Sequence, residues 1–207
     1  MIFIGIDPGL TGAIAALDGA GRVIALQDTP TIQQKVGKHV RNTYAEPGMA
    51  ALLEGIVISG TKAASGLQQA CCFDCGAIKR DAISTQALVT IENVHAMPKQ
   101  GVASSFSFGV GYGVWRGIIA AYGLRCNRVE PTVWKKALGL PKAKGAAVAK
   151  ALKLYPRAEL GHSYRGRTIY SEGRAEALLI AHYAHISALL KPTASSARAL
   201  KGLVSPR

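Results

Sequence analysis

Residues 2–12 constrain the fold of this chain more than any other stretch. They begin with Ile-Phe-Ile-Gly-Ile, a run that favours extended backbone and burial, and Asp7 follows, then Pro8 and Gly9. A second apolar run, Ala13–Leu17, comes directly after, so the two runs predict a β-hairpin. A buried carboxylate is costly unless it is paired or bound to a cation. Asp7 is therefore either a turn residue at the rim of the sheet or part of a site.

Further strand patterns follow the hairpin at 22–27, 87–91 and 125–129. Polar, basic stretches at 28–44 and 156–169 are interpreted as loops. Three strands that run antiparallel, followed by strands separated by helices, predict an α/β fold. We expect a five-stranded mixed sheet, with three antiparallel strands and then parallel ones, flanked by helices.

Helical patterns alternate with these strands. They cover residues 47–59, 101–122, a short segment from 131, 144–154 and 171–190. Glycines 109, 111 and 113 interrupt the second of these helices. Because glycine lowers helix propensity, three at alternate positions predict that another segment approaches the backbone closely.

Composition points to a polyanionic partner. The chain has 207 residues and a formal net charge of +13. A compact protein this basic repels itself, so we expect it to bind nucleic acid first and an anionic membrane surface second. No apolar run reaches the ~18 residues of a membrane span, and the N-terminus lacks a signal-peptide pattern. We expect a cytoplasmic protein, in a bacterium or a phage-infected cell, with one domain at 1–190 and a flexible basic tail at 191–207.

The four cysteines are Cys71, Cys72, Cys75 and Cys126. The spacing of Cys72 and Cys75 is typical of half a zinc site or of a redox pair. No second pair of ligands follows at a suitable distance, so we expect reduced thiols without a metal, and their role stays open.

Acidic residues end two of the predicted buried strands, Asp7 on the first and Glu92 on the fourth. If these strands are neighbours, the two carboxylates meet at one edge of the sheet. The last helix adds Glu172 and Glu176, which lie one turn apart and project from the same face. Taken alone, that pair is better explained as an exposed helix face beside Arg174, but together with Asp7 and Glu92 it favours a site.

Converging carboxylates in a basic protein repel one another unless cations lie between them. Carboxylate and water are the ligands that Mg²⁺ prefers. Two such ions about 3.5–4 Å apart support in-line phosphodiester cleavage. We therefore expect Asp7, Glu92, Glu172 and Glu176 to bind two Mg²⁺ ions, for which Mn²⁺ can substitute.

Five motifs in a fixed order resemble the RuvC-type Holliday junction resolvases, and most closely their phage-borne branch. The motifs are Ile-Gly-Ile-Asp-Pro-Gly at 4–9, Ile-Glu-Asn-Val-His-Ala-Met-Pro at 91–98, Ser-Phe-Ser-Phe-Gly-Val-Gly-Tyr-Gly-Val-Trp at 105–115, Pro-Thr-Val-Trp-Lys-Lys at 131–136 and Gly-Arg-Ala-Glu-Ala-Leu-Leu-Ile at 173–180. The resemblance implies a ribonuclease H-like fold, a homodimer and Mg²⁺-dependent symmetric nicking of four-way DNA junctions.

The resemblance also implies roles for individual residues. Asp7 and Glu92 match metal ligands on the first and fourth strands. Glu176 stands where the family usually has aspartate, and Glu172 lies near a second Asp or His of that helix. Lys135 and Lys136 match basic residues next to the cleaved phosphate, and we count Lys135 with the four acids as catalytic. Since catalytic geometry is held within about 0.5 Å, the extra methylene of Glu176 affects cleavage more than DNA binding.

Basic residues are dense between 135 and 174, which is typical of a phosphate track whose affinity falls steeply with salt. The ring of Phe106 either stacks on unpaired bases at the crossover or packs against its own domain. The predicted DNA-binding residues are Lys99, Phe106, Lys135, Lys136, Lys142, Lys144, Arg165, Arg167 and Arg174.

Two other functions stay open. The Glu176 departure fits a catalytically weak or inert junction-binding protein. The Gly-Ile-Asp-Pro-Gly motif at 5–9 also resembles the first phosphate loop of actin-like ATPases and sugar kinases. Those proteins need a second, similar half, so this chain would be a fragment of one.

Overall fold

The computed structural model describes residues 1–65, 86–95 and 101–190, and every structural statement below concerns these residues. Their strands are β1 (Ile2–Asp7), β2 (Ala13–Leu17), β3 (Val23–Asp28), β4 (Thr31–Val36), β5 (His39–Tyr44), β6 (Ala87–Glu92), β7 (Arg125–Val129), β8 (Gly161–Tyr164) and β9 (Arg167–Tyr170). Their helices are α1 (Glu46–Ser65), α2 (Val102–Ala121), α3 (Pro131–Ala137), α4 (Ala146–Leu154) and α5 (Glu172–Leu190).

Five of the strands form the central sheet in the order β3-β2-β1-β6-β7. The pairs β1–β2 and β2–β3 are antiparallel, whereas β1–β6 and β6–β7 are parallel. This is the mixed topology of a ribonuclease H-like α/β fold, and the fold-class prediction is confirmed.

Helices cover both faces of this sheet because the side chains of β1 alternate between them. Ile4 and Ile6 pack with Met49 of α1 and Trp115 of α2 on one face. Phe3 packs with the apolar side of α5 on the other face.

A glycine in β1 sets the distance between the sheet and α5. A Cβ atom on Gly5 would collide with the backbone of Ala177 and Ala181 in α5. Only glycine allows this close approach, which brings Glu176 of the same helix near Asp7 at the end of β1.

Both predicted basic loops are wrong, because each folds as a β-hairpin. Residues 28–44 contain the β4–β5 ribbon, whose two-residue turn places Gly37 at φ 62°. Residues 156–169 contain most of the β8–β9 ribbon, whose turn places Arg165 and Gly166 at φ 48° and 75°. Positive φ values at such turns match the right-handed twist of the paired strands.

The glycine prediction for α2 holds at one position of three. A Cβ atom on Gly111 would collide with the ring of Tyr44, whereas Gly109 and Gly113 face open space. Tyr44 is buried at the end of β5, and its hydroxyl donates to the carbonyl oxygen of Pro8 at 3.3 Å. The close approach at Gly111 therefore supports the turn that follows Asp7.

Two helix bounds differ from those predicted: α1 continues to Ser65, and α4 begins at Ala146. Lys99, the cysteines at 71, 72 and 75, and the tail at 191–207 lie outside the described residues. Cys126 is an exposed free thiol. Within the described ranges, no helix is long and apolar enough to cross a membrane.

Candidate functional site

Asp7 and Glu92 lie at the same edge of the sheet. Each is the last residue of its strand, and the parallel strands β1 and β6 pair with Ile6 opposite Ile91. The structure thus brings together two acids from distant parts of the sequence.

Glu176 of α5 is the third acid near this edge. Its Oε1 accepts a hydrogen bond and ion pair from Nζ of Lys135 at 2.6 Å. Lys135 lies in α3, with its ammonium 5.0 Å from the ring centre of Trp134. The structure therefore places Lys135 beside Glu176, while its predicted catalytic role stays a prediction.

The pKa of Asp7 reflects its burial and the charged groups near it. Burial raises the pKa of Asp7 to about 7, against an opposing hydrogen bond from the backbone of Gly9. The negative charges of Glu92 and Glu176 raise that pKa further, and the positive charge of Lys135 lowers it. Asp7 is thus a carboxyl group whose ionisation a bound cation would favour.

Glu92 is buried and has a defined partner. The indole Nε1 of Trp134 donates a hydrogen bond to its Oε1 at 2.9 Å. Burial raises the pKa of Glu92, the Trp134 hydrogen bond opposes this, and the charge of Glu176 adds to it. Sequence reasoning missed Trp134, although its place beside Lys135 in a short helix was a usable signal.

Glu172 occupies a different position from the other three acids. It is the first residue of α5, and its Oε1 accepts a hydrogen bond from the backbone N–H of Gly145 at 2.9 Å. Gly145 is the N-cap of α4, so the carboxylate lies where a helix dipole favours negative charge. The hydrogen bond to Gly145 thus gives Glu172 a structural role that is independent of the predicted metal ligation.

A cavity of about 530 Å³ is lined by Asp7, Glu172, Glu176 and Lys135 but not by Glu92. Its charged lining residues are Asp7, Lys135, Lys142, Lys144, Glu172 and Glu176. Three acids and three of the predicted DNA-binding lysines therefore line the same cavity, which suits a site that brings a phosphate near carboxylates.

The donor chemistry of the site fits Mg²⁺ or Mn²⁺, because hard divalent cations take carboxylate oxygens. Within the described ranges, however, no three His, Cys, Asp or Glu side chains are already arranged to hold an ion. Glu176 is instead paired with Lys135, and Glu172 with Gly145. Metal binding at Asp7 and Glu92 that recruits Glu176 would compete with Lys135 for this carboxylate.

A polar network extends from the end of β6 beside Glu92. Asn93 donates from Nδ2 to Oε1 of Glu130 at 2.5 Å and accepts from the hydroxyl of Tyr112 at 2.7 Å. The other carboxylate oxygen of Glu130 lies 2.8 Å from Nε2 of His95. Glu130 is the N-cap of α3, so the network ties α2 and the end of β6 to the helix that carries Trp134. Sequence reasoning missed Asn93 and Glu130.

Several predicted DNA-binding residues are available on the surface. Phe106 is 75% exposed on α2, so it does not pack in the core. Lys136 is exposed on α3, while Arg165 and Arg167 are exposed on the β8–β9 ribbon. These positions are compatible with DNA contact, which stays a prediction.

Arg174 is differently engaged. Its Nε and Nη2 donate to the two carboxylate oxygens of Asp28 at 2.7 and 2.8 Å, and Nη1 donates to the carbonyl of Glu159 at 2.9 Å. This bidentate pair links α5 to the end of β3.

Two solved structures from Thermus thermophilus have a similar fold. RuvC in complex with Holliday junction substrate shares 14% identity, over 92% of this chain and 96% of that chain, with a TM-score of 0.48. A structure described as Thermus thermophilus RuvC shares 14% identity, over 90% of this chain and 97% of that chain, with a TM-score of 0.45. No family profile and no curated protein sequence matches this chain.

Proposed function

We propose that this protein is a divalent-metal-dependent endonuclease that resolves Holliday junctions and other branched DNA. The observation that carries the proposal is the meeting of Asp7 and Glu92 at the ends of adjacent parallel strands, with Glu176 close enough to raise the pKa of both. Such a cluster is costly unless a cation offsets it.

Asp7, Glu92 and Glu176 would hold the metal, with Glu172 as the fourth acid of the proposed site. The chemistry that two Mg²⁺ ions, or Mn²⁺ in their place, would supply there is activation of water and stabilisation of the leaving oxygen in phosphodiester hydrolysis. Lys135 keeps a positive charge beside the acids: burial lowers the pKa of its ammonium, but the hydrogen bond to Glu176 and the negative charges of Glu176, Glu92 and Asp7 together raise it. That charge suits a neighbouring phosphate.

The DNA contacts of this proposal come from lysines and arginines, three of which line the cavity, together with Phe106. Lys142 and Lys144 line the cavity beside the acids, and Lys136 is exposed next to Lys135. Lys99, Arg165, Arg167 and Arg174 complete the proposed set.

The choice of four-way junctions as the substrate depends on the five sequence motifs. The same resemblance supports a homodimer that nicks two strands symmetrically, membership of the phage-borne branch and action in the cytoplasm. A homodimer matches the two-fold symmetry of a junction, since each subunit supplies one active site.

The test is incubation with a four-way junction labelled on each strand in turn, in Mg²⁺, in Mn²⁺ and in EDTA. We expect paired nicks at symmetric positions in both metals and none in EDTA. Asp7→Asn is the matched control, which should bind the junction and fail to nick it. Equal nicking by the wild type and Asp7→Asn would reject the proposal.

A catalytically weak or inert junction-binding protein is the second candidate. It is favoured by the ion pair of Glu176 with Lys135 and the bond of Glu172 to Gly145, which occupy two of the four predicted ligands. Junction binding without nicking in either metal would select this function. Protection against heat by ATP and Mg²⁺ but not by DNA would instead select the actin-like ATPase fragment.

A further inference from the structure

The β4–β5 ribbon is a structural unit separate from the central sheet. Its strands pair from Thr31 opposite Tyr44 to Val36 opposite His39, leaving Gly37 and Lys38 as a two-residue turn. Gly37 has a φ of 62°, and among the described non-glycine residues only Arg165 has a positive φ. A glycine at the first turn position is typical of a II′ turn, which preserves the strand twist of a regular ribbon.

The base of the ribbon lies at the edge of the sheet that carries the candidate active site. It follows Asp28, which pairs with Ala13 directly after the Asp7 turn. Thr29 donates its backbone N–H to the carbonyl of Gly12 at 2.9 Å. Tyr44 donates its hydroxyl to the carbonyl of Pro8 at 3.3 Å. The ribbon is therefore fixed at its base to the turn that positions Asp7.

The ribbon carries basic side chains and no acidic ones. Between residues 29 and 45 the sequence contains Lys35, Lys38, His39 and Arg41 and no Asp or Glu. These four side chains are exposed. Within the described part of the chain, no ion pair neutralises Lys35, Lys38 or Arg41. An exposed ribbon of this charge is suited to a polyanion.

We propose that the β4–β5 ribbon is a second DNA-binding element, which holds the phosphates of a duplex arm through Lys35, Lys38 and Arg41. The proposal rests on the proposed function, in that the substrate is DNA. Two strands of six residues extend about 20 Å, and a two-stranded ribbon fits the major groove, which is about 12 Å wide. Gln33 and Asn42 pair across one face, and Gln34 and Arg41 across the other, so either face presents side chains that bond base edges and phosphates.

The experiment compares Lys35→Gln/Lys38→Gln/Arg41→Gln with the wild type in binding to a four-way junction across a salt series in EDTA. Each phosphate contact contributes about −0.9 to the slope of log K against log salt. We expect the triple variant to bind at least about tenfold more weakly near 100 mM salt and to lose about 2 to 3 from that slope. An unchanged slope and affinity would overturn the proposal.

The matched control is Lys35→Arg/Lys38→Arg/Arg41→Lys, which keeps the charge and should keep the slope. If this control loses as much of the slope as the glutamine variant, the effect is structural and the proposal fails. Hydroxyl-radical footprinting provides the second measurement. Wild type should protect a segment of one duplex arm that the glutamine variant leaves open, and identical footprints would overturn the proposal.

Failure of this inference is distinguishable from failure of the proposed function, because nicking in Mg²⁺ is scored separately. Ribbon-dependent binding without nicking would support the ribbon and reject the nuclease. If the wild type nicks the junction and the glutamine variant binds it as tightly as the wild type does, the nuclease is supported and the ribbon is rejected.

Discussion

Trp134 donates its indole N–H to the carboxylate of Glu92 at 2.9 Å, and both side chains are buried. The bond joins α3 to the end of β6 and lowers the pKa of a carboxyl that burial otherwise raises. It therefore does two things at once: it fixes the orientation of Glu92, and it favours the charged form that a cation would bind.

Trp134→Phe measures how much the hydrogen bond to Glu92 contributes to stability, and Trp115→Phe is its matched control. Both indoles are fully buried, but the nitrogen of Trp115 has no hydrogen-bond partner among the described residues. We expect Trp134→Phe to lower the free energy of unfolding by about 1–3 kcal/mol more than Trp115→Phe, because it leaves a buried carboxylate without its donor. Denaturant unfolding of both variants measures the difference, and equal losses would contradict it.

Lys135 supplies a positive charge within the acidic cluster. Lys135→Met should therefore make the stability of the folded protein depend more strongly on divalent ions. Its ion pair with Glu176 is partly exposed, and we expect a loss of about 1 kcal/mol without metal. Mg²⁺ should then raise the unfolding temperature more in this variant than in wild type, since no ammonium competes for Glu176. The neighbouring exposed Lys136→Met is the control. Equal Mg²⁺ shifts in the two variants would refute this role of Lys135.

Glu176→Asp tests whether the longer acid limits cleavage. Glu176 now reaches the Nζ of Lys135 at 2.6 Å, and aspartate is one methylene shorter. We expect this variant to keep or raise Mg²⁺-dependent nicking of a four-way junction, because it restores the residue that the resemblance implies. Total loss of nicking in a folded variant would show that the glutamate is itself required.

The sequence could predict the sheet and the meeting of Asp7 with Glu92, because both acids directly end strong apolar strand patterns. It could not predict that Glu172 bonds to Gly145, since the spacing of two glutamates defines a helix face but not which neighbour that face meets. The hydrogen bond from Trp134 to Glu92 spans 42 positions and leaves no local pattern.

The two ribbons were missed for a related reason. Their strands are mostly exposed and polar, so they lack the alternation of apolar and polar residues that identifies a strand with one buried face. Their turns were the available signals, with Gly37 in one and Gly166 in the other. Arg165 at φ 48° obscured the second signal, because Asn or Asp is the usual partner of glycine there.

Alanine substitutions at Gly111 and Gly113 of α2 test whether Tyr44 packs against the helix backbone. A Cβ atom at 111 would collide with the Tyr44 ring, and one at 113 would meet open space. Gly111→Ala should therefore destabilise the protein by about 1–3 kcal/mol, as overpacking does. Gly113→Ala should stabilise the helix by up to about 1 kcal/mol, because alanine has the better helix propensity. Thermal unfolding of both variants measures the effects, and similar shifts would exclude a packing role for Gly111.

His182 should make stability fall in mild acid. Its Nδ1 lies 2.8 Å from the hydroxyl of Tyr155, and burial, with the charges of His185 and Lys150, lowers its pKa below the usual 6.5. The folded state thus favours the neutral ring, whereas the unfolded chain takes up a proton near pH 6.5. The stabilisation is complete above that pH and is lost as pH falls through the lower pKa of the folded protein.

The measurement is the free energy of unfolding of wild type and His182→Gln between pH 5 and 7.5. Asp7 has the opposite sign, because its raised pKa of about 7 adds stability as pH falls. The difference between the unfolding free energies of the two proteins at each pH does not contain the contribution of Asp7, which both share. We expect the wild-type advantage to shrink steadily below pH 6.5, and a difference that stays constant across the range would show that His182 does not titrate there.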